Sequence, residues 1–377
     1  MAKEKLRIVV IGGGAGGLCA ALEAARAGAR VTVVEMANRV GKKLLRTGNG
    51  RCNLSNENVA PSGYNRGEFA ASVLRAYPCA AIRSYFGELG LLTVADGEGR
   101  IYPRSDTANS VLDVLRLGCA RYGVRELCST EVTLILPRED GSFLLRTRDG
   151  SALDADRIVV ATGGGTSLLK SLGHPMAPFS PVLCPLKTEV APIRGLSGLR
   201  IRCRVTLLRH DEPVASEDGE VLFRDYGVSG IVILNMSRYA REGDTLSLQL
   251  LPGQSAEDIE KMLSVRPFGG AELLTGIFHR RVGEAVLRLA GSSEPRAVAR
   301  VIGDLRLMVL GPADVQNAQV TRGGASVEQF DPVTMESRLI PGLYAIGEAL
   351  DVDGRCGGYN LHWAFASGIT AGKEAAK

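Results

Sequence analysis

A glycine motif near the N-terminus constrains the fold more than any other feature of this 377-residue chain. Residues 8–11 read IVVI, an apolar and β-branched run that is typical of a buried parallel strand. The motif G-x-G-x-x-G follows at residues 12–17, and the alanine- and leucine-rich segment 18–26 predicts a close-packed helix. A second β-branched run at 30–34 completes the unit. This order of strand, turn, helix and strand predicts a Rossmann-like α/β fold that binds a dinucleotide.

Each glycine of the motif has a physical role. Gly12 permits the tight turn, Gly14 lets the backbone approach a pyrophosphate, and Gly17 lets the helix pack closely on the strand. The helix N-terminus offers unpaired N–H groups and the positive end of its dipole to the phosphates. Glu35 ends the second strand, where a carboxylate accepts hydrogen bonds from ribose hydroxyls. An acid here favours FAD or NAD over NADP.

The late part of the chain favours FAD. Two further apolar strands end in glycine, DRIVVATG at 156–163 and GLYAIGE at 342–348. A final helix then begins near Tyr359–Asn360. Two-dinucleotide-binding flavoproteins bring such a late strand back beside the first, and the second helix N-terminus would stabilise negative charge on reduced flavin and raise its reduction potential. An NAD dehydrogenase without flavin is the alternative, and a yellow purified protein would exclude it.

A polar loop, TGNGRCNLSN at residues 47–56, follows the second strand. Its glycines permit positive φ and close approach to a ring, and its asparagines supply amide donors and acceptors. Arg51 offers a planar fork for a carboxylate, a carbonyl-bearing substrate or a phosphate. We interpret the loop as a clamp on the edge of the flavin and substrate. Cys52 is a candidate redox thiol with Cys356 as its partner, although free cysteines are more often small packed hydrophobes.

The candidates for catalysis are four residues near the expected flavin: Tyr359, His362, Arg51 and Cys52. The helix dipole should lower the pKa of His362 and keep it neutral, so that it or Tyr359 could donate a proton. The alternative for His362 is packing between Tyr359 and Trp363. The remaining histidines show no metal-ligand spacing, so no metal is expected.

The residues expected to hold FAD lie in the glycine turn, at strand ends, around the polar loop and at the start of the last helix. They are Gly12, Gly14, Ala15, Gly16, Gly17, Glu35, Met36, Lys42, Lys43, Gly48, Asn49, Arg51, Cys52, Asn53, Val132, Thr162, Gly163, Gly347, Glu348, Asp351, Gly358, Tyr359, Asn360 and Leu361.

The middle of the chain departs from the α/β pattern. A proline-rich stretch at 174–187 predicts an extended linker, and alternating strands follow, with a turn at Asp218–Gly219 and a strand at 228–237. Helical periodicity begins with a capping-box variant at Ser255 and includes residues 270–280. We therefore predict a discontinuous FAD-binding domain interrupted by one inserted domain with a β part and a helical part. The bounds are 1–188 and 311–377 for the FAD-binding domain, 189–254 for an antiparallel β domain and 255–310 for a helical subdomain.

Composition and charge limit the partners. The net charge is +4, and the basic residues are spread along the chain rather than concentrated as in a nucleic-acid-binding face. The apolar run at 8–11 is too short for the core of a signal peptide, and no run approaches a membrane span. We expect a cytoplasmic protein with reduced cysteines and a small-molecule substrate, acting on neither nucleic acid nor membrane.

Three segments together resemble one bacterial flavoprotein family: GNGRCNLSN at 48–56, the run from Thr321 to Gly354, and GGYNLHWAFASG at 357–368. The family is the BaiN-like, YhiN-type group of NAD(P)/FAD-dependent oxidoreductases, also called aminoacetone oxidase family FAD-binding enzymes. The resemblance implies a FAD-binding domain of the glutathione-reductase type, interrupted by an inserted domain with a β-barrel part and a helical part. The family usually carries the run LFTHxGxSGP, whereas residues 222–231 of this chain read LFRDYGVSGI. If this loop contacts the substrate in the relatives, we expect a different substrate for this chain.

The resemblance also implies an activity. One family member is linked to reduction of ring double bonds in oxo-bile acids, which implies hydride transfer through flavin N5 to a conjugated ketone, with NADH or NADPH as the transient electron donor. A second G-x-G-x-x-G is absent, so the nicotinamide would bind the same pocket in turn. Two alternatives stay open, an oxygen-using amine or aminoketone oxidase and a flavoprotein that acts on RNA. The sequence leaves the oligomeric state open.

Overall fold

The computed structural model describes residues 5–164, 167–314, 318 and 320–377. The strands in these ranges are β1 (Arg7–Ile11), β2 (Arg30–Val34), β3 (Ser55–Asn56), β4 (Thr93–Ala95), β5 (Arg100–Pro103), β6 (Arg125–Leu127), β7 (Val132–Pro137), β8 (Phe143–Thr147), β9 (Ala152–Ala155), β10 (Arg157–Val160), β11 (Met176–Val182), β12 (Leu186–Thr188), β13 (Arg200–Arg209), β14 (Glu212–Arg224), β15 (Gly227–Ser229), β16 (Thr245–Gln249), β17 (Leu305–Pro312), β18 (Val320–Ala325) and β19 (Leu343–Ala345). The helices are α1 (Ala15–Arg26), α2 (Lys42–Arg46), α3 (Gly67–Ala76), α4 (Cys79–Glu88), α5 (Ala108–Arg121), α6 (Leu168–Ser171), α7 (Ile231–Met236), α8 (Ala256–Ser264), α9 (Arg280–Ala290), α10 (Pro295–Gly303) and α11 (Tyr359–Ala375).

A parallel five-stranded sheet organises the first compact unit, Met1–Ser180 with Val320–Lys377. Its order is β19-β10-β1-β2-β6, and Val9 of β1 lies opposite Ile158 on one side and Thr32 on the other. The apolar run of β1 is buried throughout, as expected for a strand covered on both faces. The late strand β19 does not lie beside β1 as predicted, because β10 occupies that position and pairs with both.

Helices α1 and α11 pack backbone against backbone beside this sheet. A Cβ placed on Gly368 would lie 2.3 Å from the carbonyl oxygen of Gly16, and one on Gly372 would lie 2.3 Å from that of Ala20. The partners advance by four residues on both helices, so the two helices run in the same direction. The glycines therefore bring the two helices closer than any side chain would allow.

Smaller sheets complete this unit. Strands β3, β5 and β4 form an antiparallel sheet in which Ser55 pairs with Ile101, and β7, β8 and β9 form a meander. Strand β11 pairs with β18. No helix within the described ranges has the length and apolar character needed to cross a membrane.

The second unit, Pro181–Gln319, contains a closed six-stranded barrel of order β12-β15-β14-β13-β16-β17. Helices α8, α9 and α10 share one hydrophobic core with the barrel strands. The boundaries between the FAD-binding domain and the insert differ from the predicted ones, which lay after residues 188 and 310. Both β12 and β17 pair within the barrel, so the insert extends further on each side, and one barrel strand follows the helices rather than preceding them.

Several local predictions in the insert are wrong. Strand β14 runs straight through Asp218–Gly219, and the chain reverses instead at His210 and Asp211, both with positive φ. The apolar run at 228–237 is broken at Gly230, whose φ is 105°, and continues as α7 rather than as a strand. Local apolar character does not distinguish a short buried helix from a strand.

Two other expectations have mixed outcomes. The proline-rich linker contains β11. Of residues 270–280, which were expected to be helical, Gly270–Glu272 form a 3₁₀ turn and Arg280 begins α9, and both Gly270 and Gly276 have positive φ. The capping box is confirmed, since Ser255 and Asp258 exchange side-chain and backbone hydrogen bonds at the start of α8.

Candidate flavin site

The glycine turn between β1 and α1 leaves open space in front of the helix. A Cβ on Gly12, whose φ is 107°, would lie 2.4 Å from the carbonyl oxygen of Ala161, and one on Gly17 would lie 2.0 Å from that of Gly12. A Cβ on Gly14 would meet no atom of the described part of the chain within 4 Å. Two of the glycines are therefore required by packing, whereas the third preserves space that the described protein atoms leave empty.

The N-terminus of α1 is available to an anion. Within the described residues no side chain caps it, and its first turn, which includes Ala15 and Gly16, contains no acidic side chain. The first N–H groups of an α-helix have no acceptor within the helix, so they can donate to phosphate oxygens. The space in front of Gly14 is where such a phosphate fits.

Glu35 is fixed at the end of β2 by two backbone donors. Its carboxylate accepts hydrogen bonds from the N–H groups of Gly13 and Ala37, each at 2.8 Å. These contacts hold the carboxylate beside the glycine turn and leave further oxygen lone pairs for ribose hydroxyls. Met36 is 73% exposed, and Val132 is buried at the start of β7.

The two lysines of α2 have different environments. Both lysines are exposed, but Lys43 also forms an ion pair with Glu348, N–O 2.5 Å. Glu348 lies near Gly163, three residues after the end of β10, since a Cβ on Gly163 would be 3.9 Å from its carboxylate. The hydroxyl of Thr162 donates to the carbonyl of Gly163 at 3.4 Å. Neutralisation of a phosphate by either lysine stays a prediction.

The polar loop after α2 has an unusual backbone. Gly48 and Asn49 both adopt left-handed conformations, with φ of 55° and 56°, and Gly50 and Cys52 also have positive φ. Asparagine tolerates this region better than most residues, which explains its place beside the glycines. The loop therefore winds tightly between α2 and β3 without a regular helix.

Burial makes Cys52 a poor redox group. The residue is 0% exposed, and desolvation raises the pKa of its thiol to about 12, although the hydrogen bond with Thr47 opposes the rise. Neither Cys52 nor Cys356 forms a disulfide. These features favour the packed alternative over a reactive thiolate.

Asn53 connects the loop to the last helix. With its side-chain amide turned so that the nitrogen faces acceptors and the oxygen faces a donor, the nitrogen donates to the carbonyls of Ser55 at 2.8 Å and Ile101 at 3.2 Å, and the oxygen accepts from the N–H of Gly358 at 3.1 Å. A Cβ on Gly358 would lie 2.3 Å from the Ser55 carbonyl, so only glycine permits this approach. Asn53 thus fixes the start of α11 against β3.

The side chains of the first turn of α11 are engaged by the protein. The Tyr359 hydroxyl donates to the carbonyl of Asn58 at 2.8 Å. The Asn360 amide exchanges two hydrogen bonds with the backbone of Gly354, and Leu361 is half-buried. No described side chain caps the helix, so its backbone N–H groups rather than its side chains face any ligand at this end.

His362 is enclosed rather than presented to a ligand. It is 0% exposed, and its Nδ1 lies 2.8 Å from the Ser55 hydroxyl. Burial lowers the pKa of His362 to about 4, against a smaller opposing effect of the Tyr77 backbone. The imidazole is therefore neutral at pH 7, as predicted, but burial rather than the helix dipole is the main cause. The geometry favours the packed alternative.

Asp351 and Gly347 support the segment that precedes α11. Asp351 is 4% exposed and accepts two hydrogen bonds from the guanidinium of Arg66, at 2.6 and 2.9 Å. Gly347 has a φ of 58°, and its N–H donates to the hydroxyl of Ser367 at 3.2 Å. Sequence reasoning did not identify Arg66 or Ser55, because their partners are about 285 and 307 residues away along the chain.

The two helix N-termini point to the same side of the sheet. Gly16 of α1 is level with Gly368 of α11, and Tyr359 begins α11 nine residues earlier, whereas Ala15 begins α1 one residue earlier. At 1.5 Å per residue, the start of α11 extends about 12 Å beyond the start of α1. Two anion-binding ends at this separation suit an extended cofactor with a pyrophosphate at one position and a polar ring edge at the other.

The fold and these two helix ends define a Rossmann-type flavoprotein. Residues 6–374 match the HI0933-like protein Rossmann domain family. The chain belongs to this family, whose members are FAD-dependent oxidoreductases. The site fits the cofactor, because the open space at Gly14, the uncapped α1 and the fixed carboxylate of Glu35 supply the contacts that its phosphates and ribose need.

Two curated relatives cover almost the whole chain. The chain is 36% identical to a 3-dehydro-bile acid Δ4,6-reductase of Clostridium scindens, over 98% of this chain and 99% of the relative. It is 28% identical to a ribosomal RNA dihydrouridine synthase of Haemophilus influenzae, over 95% and 96%. Among solved structures, a 3-ketosteroid-Δ4-(5α)-dehydrogenase of Rhodococcus jostii superposes with a TM-score of 0.51 at 16% identity, covering 100% of this chain and 98% of that one, which supports the fold alone.

Proposed function

We propose that this protein is a FAD-dependent reductase that uses NADH or NADPH to reduce a carbon–carbon double bond conjugated to a carbonyl group. The observation that carries the proposal is the 36% identity, over nearly both full chains, to a reductase of such a double bond. The relative that makes dihydrouridine reduces the same kind of bond, because the C5=C6 bond of uracil is conjugated to its C4 carbonyl. The two relatives therefore share a class of reaction, although their substrates differ in size.

The chain's own residues would bind and orient the cofactor. The amides at the start of α1 would hold the pyrophosphate, Glu35 would accept from the adenosine ribose, and the amides at Tyr359–Asn360 would face the pyrimidine edge of the flavin. When bound, FAD supplies a hydride from N5 to the β-carbon of the conjugated substrate. The positive end of α11 would stabilise negative charge at that pyrimidine edge, which raises the reduction potential.

The insert supports a small-molecule substrate. Its residues 181–319 include 17 basic and 17 acidic side chains, so it has no net charge. Across the β13–β14 hairpin, basic side chains are paired with acidic ones, as in Arg204–Asp218 and Arg200–Glu220. Such cross-strand pairs leave little unpaired positive charge for a phosphate backbone. The dihydrouridine synthase relatives make RNA the second candidate substrate.

An anaerobic two-step experiment tests the proposal. The yellow protein is mixed with NADH or NADPH, and bleaching of the flavin absorbance is followed; a 3-oxo-4-ene bile acid or an unmodified ribosomal RNA transcript is then added. We expect the bile acid to restore the flavin absorbance, with formation of the saturated ketone. Restoration of the flavin absorbance by the RNA transcript but not by the bile acid would identify RNA as the substrate. Restoration only by oxygen, with release of peroxide, would favour the amine or aminoketone oxidase and contradict the proposal.

A further inference from the structure

Two segments of the flavin site meet at one side chain that the sequence patterns do not single out, Tyr102 of β5. On one side, a Cβ on Gly48 would lie 3.8 Å from the Tyr102 ring. The guanidinium of Arg51 stacks over the same ring, 4.3 Å from its centroid, and is held there by an ion pair with Asp106. The ring is therefore part of the surface that the polar loop presents.

The segment before α11 approaches Tyr102 from the other direction. The thiol of Cys356 is close enough to influence the pKa of the Tyr102 phenol. Arg100, two residues earlier on the same face of β5, packs beside Gly357, where a Cβ would lie 3.8 Å from its side chain. Residues two apart on a strand share a face, so Arg100 and Tyr102 line one surface with the glycines that precede α11.

The Tyr102 hydroxyl differs from the Tyr359 hydroxyl in its hydrogen bonding. Tyr102 is 8% exposed, and its hydroxyl forms no hydrogen bond with any residue in the part of the chain that the structure describes. By contrast, the Tyr359 hydroxyl already donates to a backbone carbonyl, and His362 is fully enclosed. The Cys52 thiol is buried as well. Among the described residues the Nε2 of His362 also lacks a hydrogen-bond partner, but His362 is 0% exposed, whereas Tyr102 keeps 8% of its surface exposed.

The surroundings of Tyr102 suit a proton donor. Burial is the main reason that its pKa is raised, so the phenol keeps its proton at neutral pH. The guanidinium group of Arg100 opposes the rise, Asp96 adds to it, Arg51 opposes it and Cys356 adds to it. The two guanidinium groups would stabilise the phenolate left after proton transfer. The residue is therefore protonated before the reaction and its anion is stabilised afterwards.

We propose that Tyr102 is the catalytic acid that protonates the α-carbon of the conjugated substrate. This inference rests on the proposed reductase function. Hydride delivered to the β-carbon converts the double bond and carbonyl into an enolate. The enolate α-carbon then forms a C–H bond with the proton of the Tyr102 O–H, and the electron pair of that O–H bond stays on the phenolate oxygen. The phenolate recovers a proton from water.

The test separates the two half-reactions in the FAD-loaded Tyr102→Phe variant. Flavin reduction by the nicotinamide and the Kd of the 3-oxo-4-ene on the oxidised protein should both stay within about threefold of wild type. Reoxidation of the reduced flavin by the substrate should slow by about 100-fold or more, as expected when a general acid is removed. Tyr344→Phe is the matched control, because Tyr344 is also a buried phenol with a pKa raised to about 12, but it lies in β19. It should leave both steps unchanged.

The wild-type pH profile supplies a second readout that does not depend on a variant. Reoxidation should be constant near neutral pH and fall at alkaline pH as the phenol ionises, and this fall should be absent from Tyr102→Phe. Reoxidation of Tyr102→Phe at more than one third of the wild-type rate, or an unchanged alkaline fall, would overturn the assignment. Failure of the wild type to be reoxidised by any conjugated ketone would overturn the proposed function itself, and the acid with it.

Discussion

The open space at Gly14 leads to a variant that should lose the cofactor without losing the fold. Gly14 has φ −81° and ψ −169°, which an alanine adopts without strain, and its added methyl group would meet no atom of the described residues within 4 Å. A compatible glycine-to-alanine change stabilises a protein by about 0.4–1 kcal/mol through the unfolded chain. The FAD-free Gly14→Ala variant should therefore melt at or slightly above the wild-type temperature.

The same methyl group should weaken FAD binding strongly, because it fills the space that the pyrophosphate needs. Loss of one charge-assisted hydrogen bond costs about 1.5–3 kcal/mol, which corresponds to a roughly 10- to 150-fold higher Kd. Quenching of FAD fluorescence on titration of flavin-free protein measures this directly. Gly17→Ala is the matched control, since its Cβ would lie 2.0 Å from the Gly12 carbonyl oxygen and should lower the melting temperature. Wild-type affinity in Gly14→Ala would refute the placement of the pyrophosphate.

Three further predictions follow from buried groups and close packing. The lowered pKa of His362 means that the unfolded chain binds a proton that the folded chain excludes between pH 6.5 and about 4. As the pH falls through this range, wild type should lose about 3 kcal/mol of unfolding free energy relative to His362→Gln, as measured by urea titration at each pH. The same dependence of unfolding free energy on pH in both proteins would contradict the burial of His362. Cys52, whose thiol has a pKa of about 12, should resist iodoacetamide in folded protein at pH 8 while the partly exposed Cys79 reacts, as followed by peptide mass spectrometry. Gly368→Ala should destabilise by about 1–3 kcal/mol because its Cβ would contact the backbone of α1, whereas Gly87→Ala in the open part of α4 should not; equal effects would argue against the close helix contact.

The first nucleotide unit was predictable because its signals are local. The β-branched run, the glycine spacing and the acid at Glu35 all fall within about 30 residues, and each follows from a backbone requirement. The same holds for the capping box at Ser255, where two residues three positions apart satisfy each other. The family resemblance then supplied the interrupted domain plan that local patterns only suggested.

The remaining features depend on long-range pairing, which local patterns do not encode. Strand β12 pairs with β17 across more than 100 residues, so the edges of the insert could not be read from composition. The neutral His362 was predicted, but its enclosure against Ser55 depends on a contact between β3 and α11. Tyr102 was missed for the same reason, because the segments that meet at its ring are far apart in the chain.

The most direct test of the central claim is a crystal structure of the protein with FAD. The account predicts one FAD per chain, with pyrophosphate oxygens accepting hydrogen bonds from the amides of residues 14–16. It also predicts the pyrimidine edge of the ring at the amides of Tyr359 and Asn360. A flavin ring bound away from the start of α11, or a pyrophosphate held elsewhere than at the glycine turn, would contradict it.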